Sequence, residues 1–193
     1  MIAIVDYGAG NIFSVKNALD YLGLDCKLTS DKDEIKAADA VILPGVGAFP
    51  AAMAMLEKSG LIDTIKEEAA KKPLLGICLG MQMLFEKGYE FEECDGLGLI
   101  KGSVRYMDEP DLIIPHMGWN TAYDIKGKIF EGVNPTFYFV HSYYGVASEE
   151  NTIAKCDYGV SFSAGVRNEN VFGLQFHPEK SGEAGIRMVA LRH

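Results

Sequence analysis

An α/β fold, built on a mixed, mainly parallel sheet with helices on both faces, is what this sequence predicts, and three observations predict it. Short apolar runs alternate with amphipathic helical patterns through the N-terminal half. Strands separated by helices pair in parallel through right-handed crossovers. The apolar runs are continuous rather than alternating, as expected of strands covered on both faces. From Ile100 onward the strand-like segments follow one another with mostly turns between them, so part of the sheet is expected to be antiparallel.

Each element has a local reason. Ile2 to Val5 reads as a strand that stops at Asp6 and a glycine-rich turn. Asn11 is placed to cap a helix whose apolar face is Ile12, Val15, Ala18, Leu19 and Leu22, and Gly23 ends it. Asp25 to Thr29 reads as a second strand, and Ala40 to Leu43 as a third, cut off by Pro44-Gly45. Helical patterns follow from Pro50 to Lys58 and from Leu61 to Lys71. Pro73 to Ile77 is a buried strand that runs into Cys78, and a helical pattern of Met81, Leu84 and Phe85 leaves it. Strands are then expected at Ile100 to Tyr106, Thr136 to Val140, Thr152 to Cys156, Val160 to Val166 and Val171 to Phe176, with a closing helix from Gly182 to Leu191. With 193 residues and no linker or repeat, residues 1–193 are expected to form one domain.

Composition narrows the function classes. Lys plus Arg is 18 against 27 for Asp plus Glu, a net charge of −9, which disfavours nucleic acid as the main partner. The cysteines Cys26, Cys78, Cys94 and Cys156 form no CxxC pair, so free thiols in a reducing compartment are expected. No signal-peptide pattern opens the chain, and no apolar stretch approaches the roughly 20 residues that span a bilayer. The expected location is the cytoplasm. No ligand spacing for zinc is present, and neither metal nor cofactor is expected.

The most informative stretch is Gly76-Ile77-Cys78-Leu79-Gly80, a thiol form of the nucleophile elbow. A sharp turn from strand to helix needs flanking residues without bulk, and it lifts the middle side chain above the carboxyl end of the strand. With 21 glycines and four cysteines in 193 residues, random placement yields about 0.05 such motifs. Cys78 is therefore the candidate nucleophile, and Cys26, Cys94 and Cys156 are expected to be structural thiols. A thiol nucleophile needs a base and a group that orients the base. His177 follows an apolar strand, and Glu179 stands two residues on across Pro178, so His177 is the candidate base with Glu179 as its orienting acid. A His-x-Glu pair at a strand end alone would more often cap a turn; the elbow cysteine upstream reverses that weighting. Gly45 and Gly47 flank Val46 after the third strand and permit positive φ, so backbone N–H groups there, with that of Leu79, are candidate oxyanion donors. Gly8-Ala9-Gly10 opens like a dinucleotide fingerprint, but Phe13 stands where the third glycine belongs, which argues against nucleotide binding.

The elbow with Cys78, the His177-Pro178-Glu179 run and Pro44-Gly45-Val46-Gly47 resemble the class I (triad) glutamine amidotransferases. Asp6-Tyr7-Gly8-Ala9-Gly10-Asn11, Pro115-His116-Met117-Gly118-Trp119-Asn120, Phe139-Val140-His141-Ser142-Tyr143 and His177-Pro178-Glu179-Lys180-Ser181 are similar to one branch, the glutaminase-subunit family of imidazole glycerol phosphate synthases. The resemblance implies a flavodoxin-like amidotransferase fold and glutamine hydrolysis through a cysteine thioester. It implies that Gln82 and the backbone of Ser142 and Tyr143 hold glutamine. It implies a (β/α)₈ cyclase subunit as heterodimeric partner, ammonia passed to it by a channel, and Asn11, Trp119, Tyr138 and Lys180 near that partner. Three other readings remain open on the residues: a triad amidotransferase serving another synthase, a stand-alone cysteine hydrolase or peptidase, and a non-catalytic relative.

Overall fold

Alternate residues of the first strand point to opposite sides, and both sides are dry: Ile2 and Ile4 join one apolar cluster, Ala3 and Val5 another. That double burial sets the layering of the molecule, a computed structural model describing residues 1–190. The elements in chain order are β1 (Ile2–Val5), α1 (Ile12–Tyr21), β2 (Cys26–Thr29), α2 (Lys32–Ala37), β3 (Ala40–Gly45), α3 (Phe49–Ser59), α4 (Ile62–Ala69), β4 (Leu74–Cys78) and α5 (Leu79–Gln82). There follow β5 (Phe85–Gly88), β6 (Cys94–Asp95), β7 (Ile100–Tyr106), β8 (His116–Thr121), β9 (Thr136–His141), β10 (Tyr143–Ala147), β11 (Thr152–Tyr158), β12 (Val160–Asn168), β13 (Val171–Leu174) and α6 (Gly182–Met188).

Among the described residues the main sheet has seven strands in the order β11-β12-β13-β4-β3-β1-β2. Its β2-β1-β3-β4-β13 portion is parallel, and β12 and β11 add antiparallel strands at one edge. The mixed, mainly parallel α/β sheet is thus as expected. The chain leaves β1 toward β2 on one side and returns to β3 on the other, which opens a crevice at the carboxyl ends of β1 and β3. One face is covered by α1 and α6 together with Phe137 and Phe139 of β9; the other by α2, α3, α4 and a four-stranded sheet in the order β10-β7-β5-β6. Small sheets thus share the covering role that the sequence reading gave to helices alone.

Several boundaries differ from expectation. β3 does not stop at Pro44-Gly45; Pro44 pairs with Ile77 and Gly45 with Cys78. The proline is tolerated because the pairing of β3 with β1 ends at Ile42, so its missing N–H faces no strand. The helix after Cys78 is one turn long rather than extending to Phe85. Amides of Leu97, Leu99 and Ile100 claim the carbonyls of Met83 and Leu84, and Phe85 enters the second sheet beside Ile100. α2 is absent from the sequence reading, although Asp31 caps it through both Asp33 N–H (2.7 Å) and Glu34 N–H (3.1 Å). β5, β6, β8 and β10 were likewise unread. Asn11 holds the first cap position of α1, but its side chain makes no cap hydrogen bond. Phe13 is 67% exposed, so its bulk lies off the helix–sheet contact that the fingerprint argument assigned to it. The closing helix spans Gly182–Met188, and the expected terminus at Leu191 lies outside the described residues.

Candidate active site

Cys78 ends β4 with φ 55° and ψ −114°, outside the regions that L residues favour. Such a conformation costs on the order of 1–3 kcal/mol and persists where the surroundings over-determine it. Two glycines allow it. A Cβ on Gly76 would lie 2.6 Å from the Gly80 carbonyl oxygen, and one on Gly80 would run into the Leu43 carbonyl oxygen. Gly45 is required for the same reason and not for positive φ: its Cβ would meet the Gly80 amide nitrogen at 2.6 Å, under the elbow. The Cys78 thiol is nearly buried and points its Sγ toward the Val140 carbonyl at 3.9 Å.

His177 follows β13, which pairs directly with β4, so the sheet register sets base and thiol side by side. Its backbone N–H donates to Tyr138 O at 2.9 Å. One 3₁₀ turn, Pro178–Lys180, then folds Glu179 back so that its Oε1 lies 2.8 Å from His177 Nδ1. Both side chains are almost wholly buried. Burial alone would push the imidazole down; the neighbouring Cys78 sulfur and the Glu179 carboxylate, which favour the protonated ring, outweigh that and raise its pKa to about 9. Glu179 Oε2 has no partner among the described residues.

A cavity of about 420 Å³ lies over these strand ends, lined by Cys78, His177, Leu79, Val46 and Gly47 among others. Gly47 has φ 100°, and Val46 is 43% exposed. Gly45 is not brought to the cavity. Behind this loop the Tyr7 hydroxyl donates to the Pro44 carbonyl at 3.0 Å. Gln82, Ser142 and Tyr143 line the opposite wall. Gln82 is buried and its Nε2 donates to Tyr143 O (2.8 Å) and to Gln175 Oε1 (3.0 Å), which leaves its Oε1 as the acceptor.

Three lining or supporting residues escaped the sequence reading. Glu90 lines the cavity and its Oε2 accepts from Phe49 N–H at 2.6 Å, at the start of α3, where a carboxylate is favoured. His141 lines it as well, and Gln175 is fully buried behind Gln82. Gln175 was detectable as a lone amide inside an apolar run; Glu90 gave no signal, because only the second sheet carries it to the site. Asn11 and Lys180 line the cavity mouth rather than standing apart from it. Trp119 and Tyr138 sit on the β8-β9 pair with rings 6.1 Å apart, and Trp119 (59% exposed) and Met117 (62%), two residues apart on β8, leave apolar surface open.

The family model for glutamine amidotransferase class-I matches residues 3–191. The chain is 50% identical to the imidazole glycerol phosphate synthase subunit HisH of Bacillus thuringiensis subsp. konkukian (strain 97-27), over 98% of this chain and 92% of the relative. It is also 50% identical to the HisH subunit of Bacillus cereus (strain ATCC 14579), over the same shares of the two chains. Among solved structures, a glutamine amidotransferase crystal structure superposes with TM-score 0.76 at 19% identity, covering 99% of this chain and all (100%) of that one. PurLQS from Thermotoga maritima gives TM-score 0.76 at 22% identity, covering 98% and 94%. At such identities these two structures bear on the fold alone.

Proposed function

The chain belongs to the class-I glutamine amidotransferases, among their imidazole glycerol phosphate synthase HisH subunits, and from that premise we propose that it hydrolyses L-glutamine at Cys78 and delivers the ammonia to a separate cyclase subunit. The observation that carries this reading is the strained Cys78 sharing one cavity with His177, whose far ring nitrogen is held by Glu179.

In the proposed reaction the proton shared between Cys78 and His177 rests on His177, whose pKa is raised to about 9, and Sγ attacks the carbon of the glutamine side-chain amide. The amide oxygen becomes an oxyanion, received by backbone N–H groups of the Val46-Gly47 loop and of Leu79. One such donor is worth about 10²–10³ in rate. Gly45 serves by its small size beneath the elbow, a change from the donor role expected of it. His177 returns its proton to the nitrogen, the C–N bond breaks, ammonia leaves and a glutamyl thioester remains. Water, losing a proton to His177, attacks the thioester carbon; Cys78 leaves as thiolate, takes the proton back, and glutamate departs. The substrate's amino-acid end is placed against Gln82, Ser142 and Tyr143. Gln82 Oε1 and the Glu90 carboxylate are acceptors suited to its ammonium group.

The partner is proposed to be a (β/α)₈ cyclase subunit, bound as a heterodimer over the cavity mouth and the surface of Asn11, Trp119, Tyr138 and Lys180. Ammonia would pass within the complex to a ribulosyl-formimino carboxamide ribonucleotide, giving imidazole glycerol phosphate and aminoimidazole carboxamide ribotide in histidine biosynthesis. Among the described residues no helix is long and apolar enough to cross a membrane, and a cytoplasmic location is proposed. The test is glutamate release from glutamine by the chain alone, with the cyclase subunit, and with that subunit plus its nucleotide ligand. A large rise in the last mixture is expected. Full activity in the isolated chain would point to a stand-alone hydrolase, and none under any condition would remove the glutaminase reading.

A further inference from the structure

Two histidines beside the cavity take no part in the chemistry just described. His141 Nδ1 lies 2.9 Å from the Tyr143 carbonyl oxygen. His141 Nε2 lies 3.1 Å from His116 Nδ1, and His116 Nε2 lies 3.3 Å from Asn120 Nδ2. A carbonyl only accepts, so His141 Nδ1 carries a proton. Asn120 is oriented independently of the rings: its Oδ1 accepts from Thr121 N–H at 2.8 Å and its Nδ2 also donates to Asp157 O at 3.0 Å. Its amide therefore presents a donor to His116 Nε2, which must be bare. The two ends together permit one arrangement with neutral rings, in which each imidazole is protonated at Nδ1 and accepts at Nε2. Burial keeps both rings neutral, with pKa values lowered to about 4 for His116 and about 3 for His141.

We propose that Asn120, His116 and His141 form a one-way hydrogen-bond relay that positions the Tyr143 carbonyl, and through it the Gln82 amide, as a fixed wall of the glutamine pocket. The Tyr143 carbonyl receives both the His141 Nδ1–H and the Gln82 Nε2–H, so the relay ends on the atom that also orients Gln82. Tyr143 lies on β10 and Gln82 on α5, elements of different layers, and no ladder hydrogen bond ties them. The relay anchors this junction to the β8-β9 sheet, whose register sets His116 directly opposite His141. His116 and His141 are thus positioning residues, and the inference rests on the glutaminase reading for what the pocket holds.

Two substitutions at His116 separate the relay from simple packing. The ring stacks between Tyr158 (centroids 4.1 Å apart) and Phe139 (4.9 Å). His116→Phe keeps the stacking and removes the donor. His116→Asn loses the stacking and places an amide donor near the Nδ1 position. In the complex with the cyclase subunit, His116→Phe is expected to raise KM for glutamine about tenfold with kcat held within about twofold, as for lost ground-state binding. His116→Asn is expected to lie closer to the wild type. The reverse order, or equal KM in both variants, overturns the relay. A second measurement needs neither variant: imidazole ¹⁵N shifts of the wild-type chain at neutral pH are expected to show His116 and His141 protonated at Nδ1 only. An Nε2–H tautomer at either ring overturns the relay and leaves the glutaminase reading standing. The tautomers found as expected, with no glutamate released by the complex, would instead sink the glutaminase reading.

Discussion

The left-handed φ of 55° at Cys78 and the 2.8 Å contact between His177 and Glu179 are properties of single residues, and each makes its own prediction. Cys78→Ala removes the only proposed nucleophile. Glutamine-dependent synthesis by the complex is expected to fall by at least about 10⁴-fold, while synthesis from added ammonia persists, because the acceptor chemistry is proposed to lie on the partner. Assaying both nitrogen sources on one preparation checks it, and loss of both in a folded complex would end the division of labour. The second prediction concerns pH. With a folded pKa raised to about 9 against an ordinary 6.5, His177 binds its proton more tightly in the folded chain. That contribution to stability is complete below pH 6.5 and is lost as pH rises through 9. Unfolding free energy from urea titrations is expected to decline over this window, and Glu179→Gln is expected to flatten the decline. His116 and His141 act in the opposite direction. Their folded pKa values of about 4 and 3 lie below 6.5, so the stability they contribute is present above 6.5 and is lost as pH falls through 4 for His116 and through 3 for His141.

At the scale of elements, the α5 difference between sequence and structure arises because a neighbouring element takes hydrogen-bond partners that no local pattern announces, and the others have causes of their own. Gly76 and Gly80 were legible because steric exclusion at a tight turn is local. The end of α5 was not, since it depends on the Leu97–Ile100 segment taking the Met83 and Leu84 carbonyls. β8 and β10 were missed because half their residues face water or the cavity, which dilutes the apolar pattern. α2 had a local signal that went unread, the Asp31-x-x-Glu34 spacing of a capped first turn. Its cap has a measurable worth. Asp31→Ala removes the one acceptor, Oδ1, that two helix N–H groups share and is expected to cost about 1 kcal/mol in urea unfolding. Glutaminase activity is expected to be unchanged, because α2 lies on the sheet face away from β9 and does not reach the cavity.

For the whole molecule, the open apolar surface of Trp119 and Met117, two residues apart on β8, is where partner binding is expected. Trp119→Ala is expected to weaken the complex by about tenfold or more, as for loss of an aromatic anchor. Because the ring is 59% exposed, the melting temperature of the isolated chain should barely move. Calorimetric titration with the cyclase subunit, beside thermal unfolding, separates the two; unchanged affinity would place the interface elsewhere. The sequence by itself determined the mixed, mainly parallel α/β class, the elbow cysteine and the His177–Glu179 pair, because continuous apolar runs, glycine spacing and a proline turn act over a few residues. Only the tertiary structure decided that Gly45 works by closeness to Gly80 rather than by positive φ, that Glu90 reaches the cavity, and that Asn120, His116, His141 and Tyr143 share one line of hydrogen bonds. Those relations join segments brought together by sheet register, and a pairing between distant strands is set by the packing of the whole chain.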